Sequence, residues 1–236
     1  VVALSVLVSS LDAQQPPREP CGRLAQQDIL MCYANFLSVY GLVISQNGRK
    51  SLLPPFHMIG PQQSAQNFRQ VCGAFNILMR CMQPISFACV NPETYDQITW
   101  SHSDAISYVQ DYGFYEYACG PGNALFIENQ ECLGHAFKIA SFSNRIVNCG
   151  ATRPTNGDES LRCLNGELTT RCMSDTIDRE CGRSAAYGVC TAVVNVARRI
   201  GEVEAMCLPG MEQTCSTSTL SIIAPMFMIL GYLLNH

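Results

Sequence analysis

The chain has 236 residues, fourteen of them cysteine, a formal net charge of −4, and only 14% charged residues, against roughly 25% in ordinary soluble domains. Without a basic excess it carries no electrostatic footprint for nucleic acid or for an anionic membrane surface, and neither is expected as an electrostatic partner. What remains is a chain long enough for one sizeable core or two small ones, whose character is set by cross-links more than by surface charge.

In chain order, the first element is the apolar run Val1-Val-Ala-Leu-Ser-Val-Leu-Val8 followed by small residues. It reads as the h-region of a signal peptide, cleaved after Ser10 or Ala13, with its first residues lying before Val1. Residues 1–13 are assigned to it. A buried strand or helix is the alternative, and the polar, Pro-rich stretch 14–20 argues against it by separating the run from anything it could pack on. Cys21 and Cys32 then stand eleven residues apart, three helical turns, so a helix there holds both on one face. The stretch 45–61, with Asn47-Gly48, Pro54-Pro55 and Gly60-Pro61, reads as a long irregular connection.

Between Ser64 and Cys81 the apolar residues Phe68, Val71, Cys72, Phe75, Leu78 and Met79 recur with helical period, the clearest helix in the chain. Ser103 and Asp104 are candidate caps of another helix running through Tyr112, ended at Gly113 or at Gly120-Pro-Gly122. That segment concentrates Tyr108, Tyr112, Phe114, Tyr115 and Tyr117, which are expected to fill the core around Cys119. The alternative is an exposed aromatic binding surface. A looser stripe follows in Phe126, Leu133, Phe137 and Ala140. Residues 150–160 are dense in turn formers and are the expected junction between two cysteine-rich helical halves, 14–149 and 150–215.

Past the junction, Cys163, Cys172, Cys181 and Cys190 recur every nine residues. A step of nine on a continuous helix turns about 900°, so successive cysteines face opposite sides. Either a helix here is stapled on two faces, or turns at Asn165-Gly166 and Cys181-Gly182 reset the phase. A further stripe runs Cys190, Val193, Val194, Ala197, Ile200. The segments from Cys72 to Cys81 and from Cys181 to Cys190 share Cys-Gly and an eight-residue gap, a faint echo of a repeat. The fold class expected from all of this is all-α, disulfide-stapled small helices with long irregular loops.

The last element, residues 216–236, is an apolar tail behind Cys215-Ser-Thr-Ser-Thr219. Its uncharged run from Leu220 to Leu234 spans about 22 Å as helix, short of the ~30 Å hydrocarbon core. It is expected to be a glycolipid (GPI) attachment signal with Ser216 as the anchor candidate, which would link the protein to the membrane through this tail. A short membrane helix and a packed C-terminal helix are the alternatives. Attachment at Ser216 keeps an even cysteine count, whereas attachment at Gly210 would remove Cys215. All fourteen, Cys21, Cys32, Cys72, Cys81, Cys89, Cys119, Cys132, Cys149, Cys163, Cys172, Cys181, Cys190, Cys207 and Cys215, are expected to be disulfide-bonded, in pairs the sequence leaves open.

The run Cys72-x8-Cys81-x7-Cys89 with its amphipathic helix, Tyr117-Ala-Cys119, and Cys181-x8-Cys190-x16-Cys207 together resemble a nematode secreted helical domain, the chondroitin proteoglycan 4 domain, over residues 21 to 207. The resemblance implies an extracellular eggshell, cuticle or surface protein without known catalysis. Chondroitin is attached at Ser-Gly, and no serine here precedes glycine. The lipid-anchored co-receptors for glial-derived growth factors are also helical and cysteine-rich, but they carry adjacent Cys-Cys pairs, which this chain lacks.

No hydrolase elbow, zincin motif, Cys-x-x-Cys or phosphate-cradling loop is present, and His57, His102 and His135 are scattered. Ser101-His-Ser-Asp104 reads as a polar loop leading into a helix. Neither an enzyme, nor a cofactor, nor a metal is expected. The function expected is a non-enzymatic structural, matrix or coat component, with a receptor-like binding module as the alternative and a secreted hydrolase third. The partner is an extracellular protein or a glycan of unknown identity. No Asn-x-Ser/Thr sequon occurs, while Ser216 to Thr219 could carry O-linked sugar.

Overall fold

The computed structural model describes residues 21–48, 50–59, 63, 67–149, 158–201 and 206–220, and the side chains of all of these except 159 and 217–220. The signal-peptide run, most of the turn-rich junction, and the tail beyond Leu220 lie outside the described residues. What is described is all-α and stapled by seven disulfides, as the cysteine and helix patterns require.

Helix α1 (Arg23–Ser38) carries Cys32, with Cys21 just ahead of it. A short hairpin follows, β1 (Ser45–Asn47) paired with β2 (Lys50–Leu52), Ser45 opposite Leu52. The connection expected to be irregular thus contains a turn at Asn47-Gly48, where Gly48 takes φ +61°, as tight hairpins favour. After a 3₁₀ turn, Phe56–Met58, α2 (Phe68–Met82) starts at a reciprocal capping box. The Asn67 side chain accepts from Gln70 N, and the Gln70 side chain accepts from Asn67 N.

Two short helices, α3 (Ser86–Cys89) and α4 (Pro92–Asp96), lead to α5 (His102–Ala118). The cap of α5 is Ser101, whose Oγ accepts from Asp104 N at 3.1 Å, two residues before Ser103 and three before Asp104. Asp104 serves the first turn instead and accepts from Phe56 N. Nor does Gly113 stop this helix. A Cβ there would lie 3.0 Å from Val196 Cα, so its role is close approach of a neighbouring backbone.

Then come α6 (Asn123–Ala136) and α7 (Ala140–Cys149). The stripe read from Phe126 to Ala140 is therefore two helices, divided at Phe137 to Ile139. The longest element is α8 (Glu159–Ile200), capped by Asp158 and broken at Gly182, whose φ of +80° and ψ of 172° form a conformation open essentially to glycine alone. It closes against α9 (Leu208–Leu220).

The bridges resolve the nine-residue problem by both routes at once. In the first part of α8, Cys163 and Cys181 are eighteen residues apart, five full turns, and share a face. They bond Cys207 and Cys132, while Cys172 on the opposite face bonds Cys149. Gly182 then resets the phase, and Cys190 bonds Cys215. The same half-turn separation sends Cys72 to Cys119 and Cys81 to Cys32. Cys21, expected to share a helix face with Cys32, instead precedes α1, which begins at Arg23, and bonds Cys89. No cysteine is left unpaired, which is the state of a protein of an oxidising compartment.

Three bridges close residues 21–119 and four close 132–215, with none between the two sets. The bridges Cys132–Cys181 and Cys149–Cys172 span the junction read at 150–160, so the covalent division falls between Cys119 and Cys132. Packing joins what the bridges do not. Helix α5 buries Tyr108, Val109 and Tyr112 in the first core and Ala118 in the second, which also holds Phe126, Phe142, Ile177, Ala186 and Val189.

Candidate functional site

Two clefts open along the contact between the covalently separate halves. Both are lined in part by α5 and α8, the two helices that pack on each other across the halves.

The first, of about 730 Å³, sets Glu93, Glu116, Arg198 and Arg199 among apolar residues such as Phe87, Val90 and Ile200. At its base Arg199, in the last turn of α8, reaches across to Glu116 of α5. Its Nε donates to Glu116 Oε2 at 3.0 Å, its Nη2 donates to Glu116 Oε1, and its Nη1 donates to Ser86 O at 2.8 Å. A forked guanidinium on a carboxylate fixes orientation as well as distance. The Asn195 amide donates to Gly113 O at 2.7 Å and to Glu116 Oε2 at 3.0 Å, so Glu116 is held from two turns of α8. Arg198, beside it, donates to Glu212 of α9 at 2.8 Å. Arg199 also lies over the Tyr112 ring, 5.8 Å from its centre. At the rim stands Phe87, 95% exposed. A smaller cleft of about 280 Å³ adjoins it over Tyr117 and Tyr187 toward Cys215 and Ser216.

The second main cleft, of about 820 Å³, is walled by rings. Phe68 of α2 stacks on Phe126 of α6, centres 5.6 Å apart and planes within 18°, and Phe114 of α5 meets Phe126 edge-on at 5.5 Å. Its size and lining are those of small-molecule sites, largely apolar with a few placed polar groups. Gln63, 7% exposed, faces it and donates through Nε2 to Asp111 Oδ2 at 3.2 Å. Burial pushes the Asp111 carboxyl up to about 7, and the Gln63 hydrogen bond opposes this. The neighbouring tyrosines respond to the same surroundings: Tyr40 is pushed up to about 12 by burial and then by the Asp111 charge, and Tyr115 is raised for the same two reasons.

The five clustered aromatics of α5 divide between the two expectations. Tyr108 and Tyr112 are core, and the Tyr108 hydroxyl donates to Pro54 O at 2.7 Å. Phe114 and Tyr115 line the ring-walled cleft, and Tyr117 lines the other two. Ser216, the anchor candidate, lies exposed on α9 with its Oγ donating to Glu212 O. His102 pairs with Asp96 at 2.9 Å on the surface, while Ser101 and Asp104 are engaged in the helix cap. Among the described residues no group of three or more His, Cys, Asp or Glu could hold a metal ion.

The sequence reading did not find Arg199, Glu116, Asn195, Gln63 or Asp111. Two arginines in a last helical turn read as partners of the helix dipole, and nothing local points to a carboxylate 83 positions away. Phe68, Phe126 and Phe137 were legible as apolar stripes, which do not distinguish a core from a cleft wall. No family model matches the chain, and no curated protein and no solved structure matches it.

Proposed function

We propose that the chain is a non-enzymatic extracellular or cell-surface protein that acts as a binding module, held to the membrane by a glycolipid at Ser216. The observation that carries the reading is the ring-walled cleft of about 820 Å³ between helices fixed by bridges: Cys72–Cys119 ties α2 to the end of α5, and Cys132–Cys181 ties α6 to α8. Four elements held in this way present a preorganised wall, which lowers the ordering cost of binding. The full pairing of cysteines supports the secretory route, and the resemblance to the chondroitin proteoglycan 4 domain supports a surface setting.

The test releases the protein from cells with phosphatidylinositol-specific phospholipase C and examines it by native mass spectrometry. The expected product ends near Ser216, resists alkylation without reductant, and carries a bound small molecule that is lost on unfolding. Recovery of a peptide covering 226–233 from the mature protein overturns the anchor. A protein that never carries a bound mass overturns the module.

A structural coat or matrix role is the second reading. It is favoured by large apolar side chains that stand exposed at separate places, Phe87, Val43, Val147, Leu24 and Met31. That role requires self-association, which sedimentation at rising protein concentration reads directly.

A further inference from the structure

The ring-walled cleft is selective in a way its size alone does not state. Its lining joins the stacked pair Phe68 and Phe126 to Phe114, Leu133 and Phe137, a rigid and mainly apolar wall. A rigid polycyclic body gives up less conformational freedom on such a wall than a flexible chain does. The polar groups that reach the cleft are mainly amides, Gln63, Asn67 and Gln130, each able to donate and accept. Charge at the lining cancels, with one Glu131 and one Lys138 among the described residues.

Asp111 accepts the Gln63 amide, and the Tyr40 hydroxyl, which feels the Asp111 charge, is buried with no hydrogen-bond partner among the described residues. An anionic head would find one basic residue among those described along the lining, Lys138, and Glu131 offsets it. A hydroxyl needs no counter-charge and satisfies an amide in either sense.

Resting on the binding-module reading, we infer that this cleft is the site of one neutral, hydroxyl-bearing polycyclic lipid of the sterol class. Its ring body lies against Phe68, Phe114, Phe126 and Phe137, and its hydroxyl lies at the amides of Gln63 and Gln130.

The test titrates the full, disulfide-formed chain with dehydroergosterol, a fluorescent sterol, and in parallel with cis-parinaric acid, a fluorescent fatty acid. Gly134 of α6 lines the cleft, and a Cβ there meets nothing within 4 Å. Gly134→Trp therefore sets a bulky ring at the cleft's lining from a position with room for its Cβ, and also removes a helix-weakening glycine. Gly73→Trp on the exposed face of α2, equally open, is the control.

The expected result is saturable sterol binding, at least tenfold weaker in Gly134→Trp and unchanged in Gly73→Trp, with both variants keeping the parent's circular dichroism. The fatty acid should bind at least tenfold more weakly than the sterol. Sterol binding that ignores Gly134→Trp overturns the site. Fatty acid bound as tightly as sterol, and lost in Gly134→Trp, overturns the ligand class and leaves the cleft a binding site. Binding of neither probe overturns the inference and counts against the binding module as well.

Discussion

The two covalently closed halves reach stability by different means. In residues 21–119 the core is aromatic, with Tyr33, Phe36, Phe75, Tyr95, Tyr108 and Tyr112 fully buried and several of them meeting edge-on, as Tyr33 does with Tyr108 at 5.4 Å. In residues 132–215, Phe142 is the one member of the largest fully buried side chains, and the rest of the core is small: Ala136, Ala185, Ala186 and Ala192, then Val189 and Ile177. The cluster under α9 consists of Cys190, Val194, Met211 and Cys215, so a disulfide is itself half of that core. The half with less apolar volume carries four bridges and the other three. Small residues let helices approach closely, as Gly113 lets α5 approach α8, but they bury little area each. Cross-links make up the difference by restricting the unfolded chain.

The largest test of this contrast uses a coincidence of spacing. Cys32–Cys81 and Cys132–Cys181 both span 49 residues, so loop closure assigns each the same stabilisation, about 4 kcal/mol. Any difference between them then reports what backs them up. Replacing Cys132 and Cys181 by alanine is expected to leave residues 132–215 without protection in hydrogen exchange. Replacing Cys32 and Cys81 should lower the melting temperature while residues 21–119 stay protected. Equal loss in both halves would break the comparison.

A smaller effect separates the cores by the direction of the change they resist. Phe75→Ala removes a ring at the centre of the aromatic core and is expected to cost about 3–5 kcal/mol. Ala186→Leu adds volume where helices touch and should cost about 1–3 kcal/mol. Ala186→Leu that is neutral or stabilising in urea unfolding would mean the second core is underpacked instead of closely apposed.

The smallest effect concerns a cost that the aromatic half carries within itself. Asp111 has its carboxyl raised from 3.8 to about 7, mainly by burial, so the folded protein holds a proton there that the unfolded chain has already lost. Stability from this group is therefore unimpaired below about pH 4, falls as pH rises toward about 7, and stays reduced above that. Asp111→Asn should match the parent near pH 4 and exceed it at pH 8 by on the order of 2 kcal/mol, about half of the full linkage because Asp111 keeps some contact with solvent. Urea midpoints at the two pH values check this, and a pH-independent difference would show that Asp111 titrates normally.

Part of this was legible without coordinates. The stripe from Phe68 to Met79 became α2 because one face of a 3.6-residue period needs nothing more than burial to be helical. The even cysteine count pointed to full pairing, and the nine-residue step to staples on two faces or to turns that reset the phase. The cap of α5 lies two or three residues ahead of the one expected because Ser101, Ser103 and Asp104 are all chemically competent caps. The choice fell to Phe56 N, which occupies Asp104 from 48 residues upstream.

What the sequence determined by itself was therefore whatever depends on residue type and local spacing: helical class, oxidised cysteines, a lack of basic charge, and the period that turns apolar side chains to one face. What only the tertiary structure decided was which surfaces meet. Fourteen cysteines allow very many pairings of similar chemistry, and helix packing alone selects the one that closes 21–119 and 132–215 separately. The same holds for Arg199 on Glu116 and for Phe68 on Phe126. Each residue is unremarkable in its own helix, and its role arises because α5 passes between the two halves and brings distant segments to within a hydrogen bond or a ring contact.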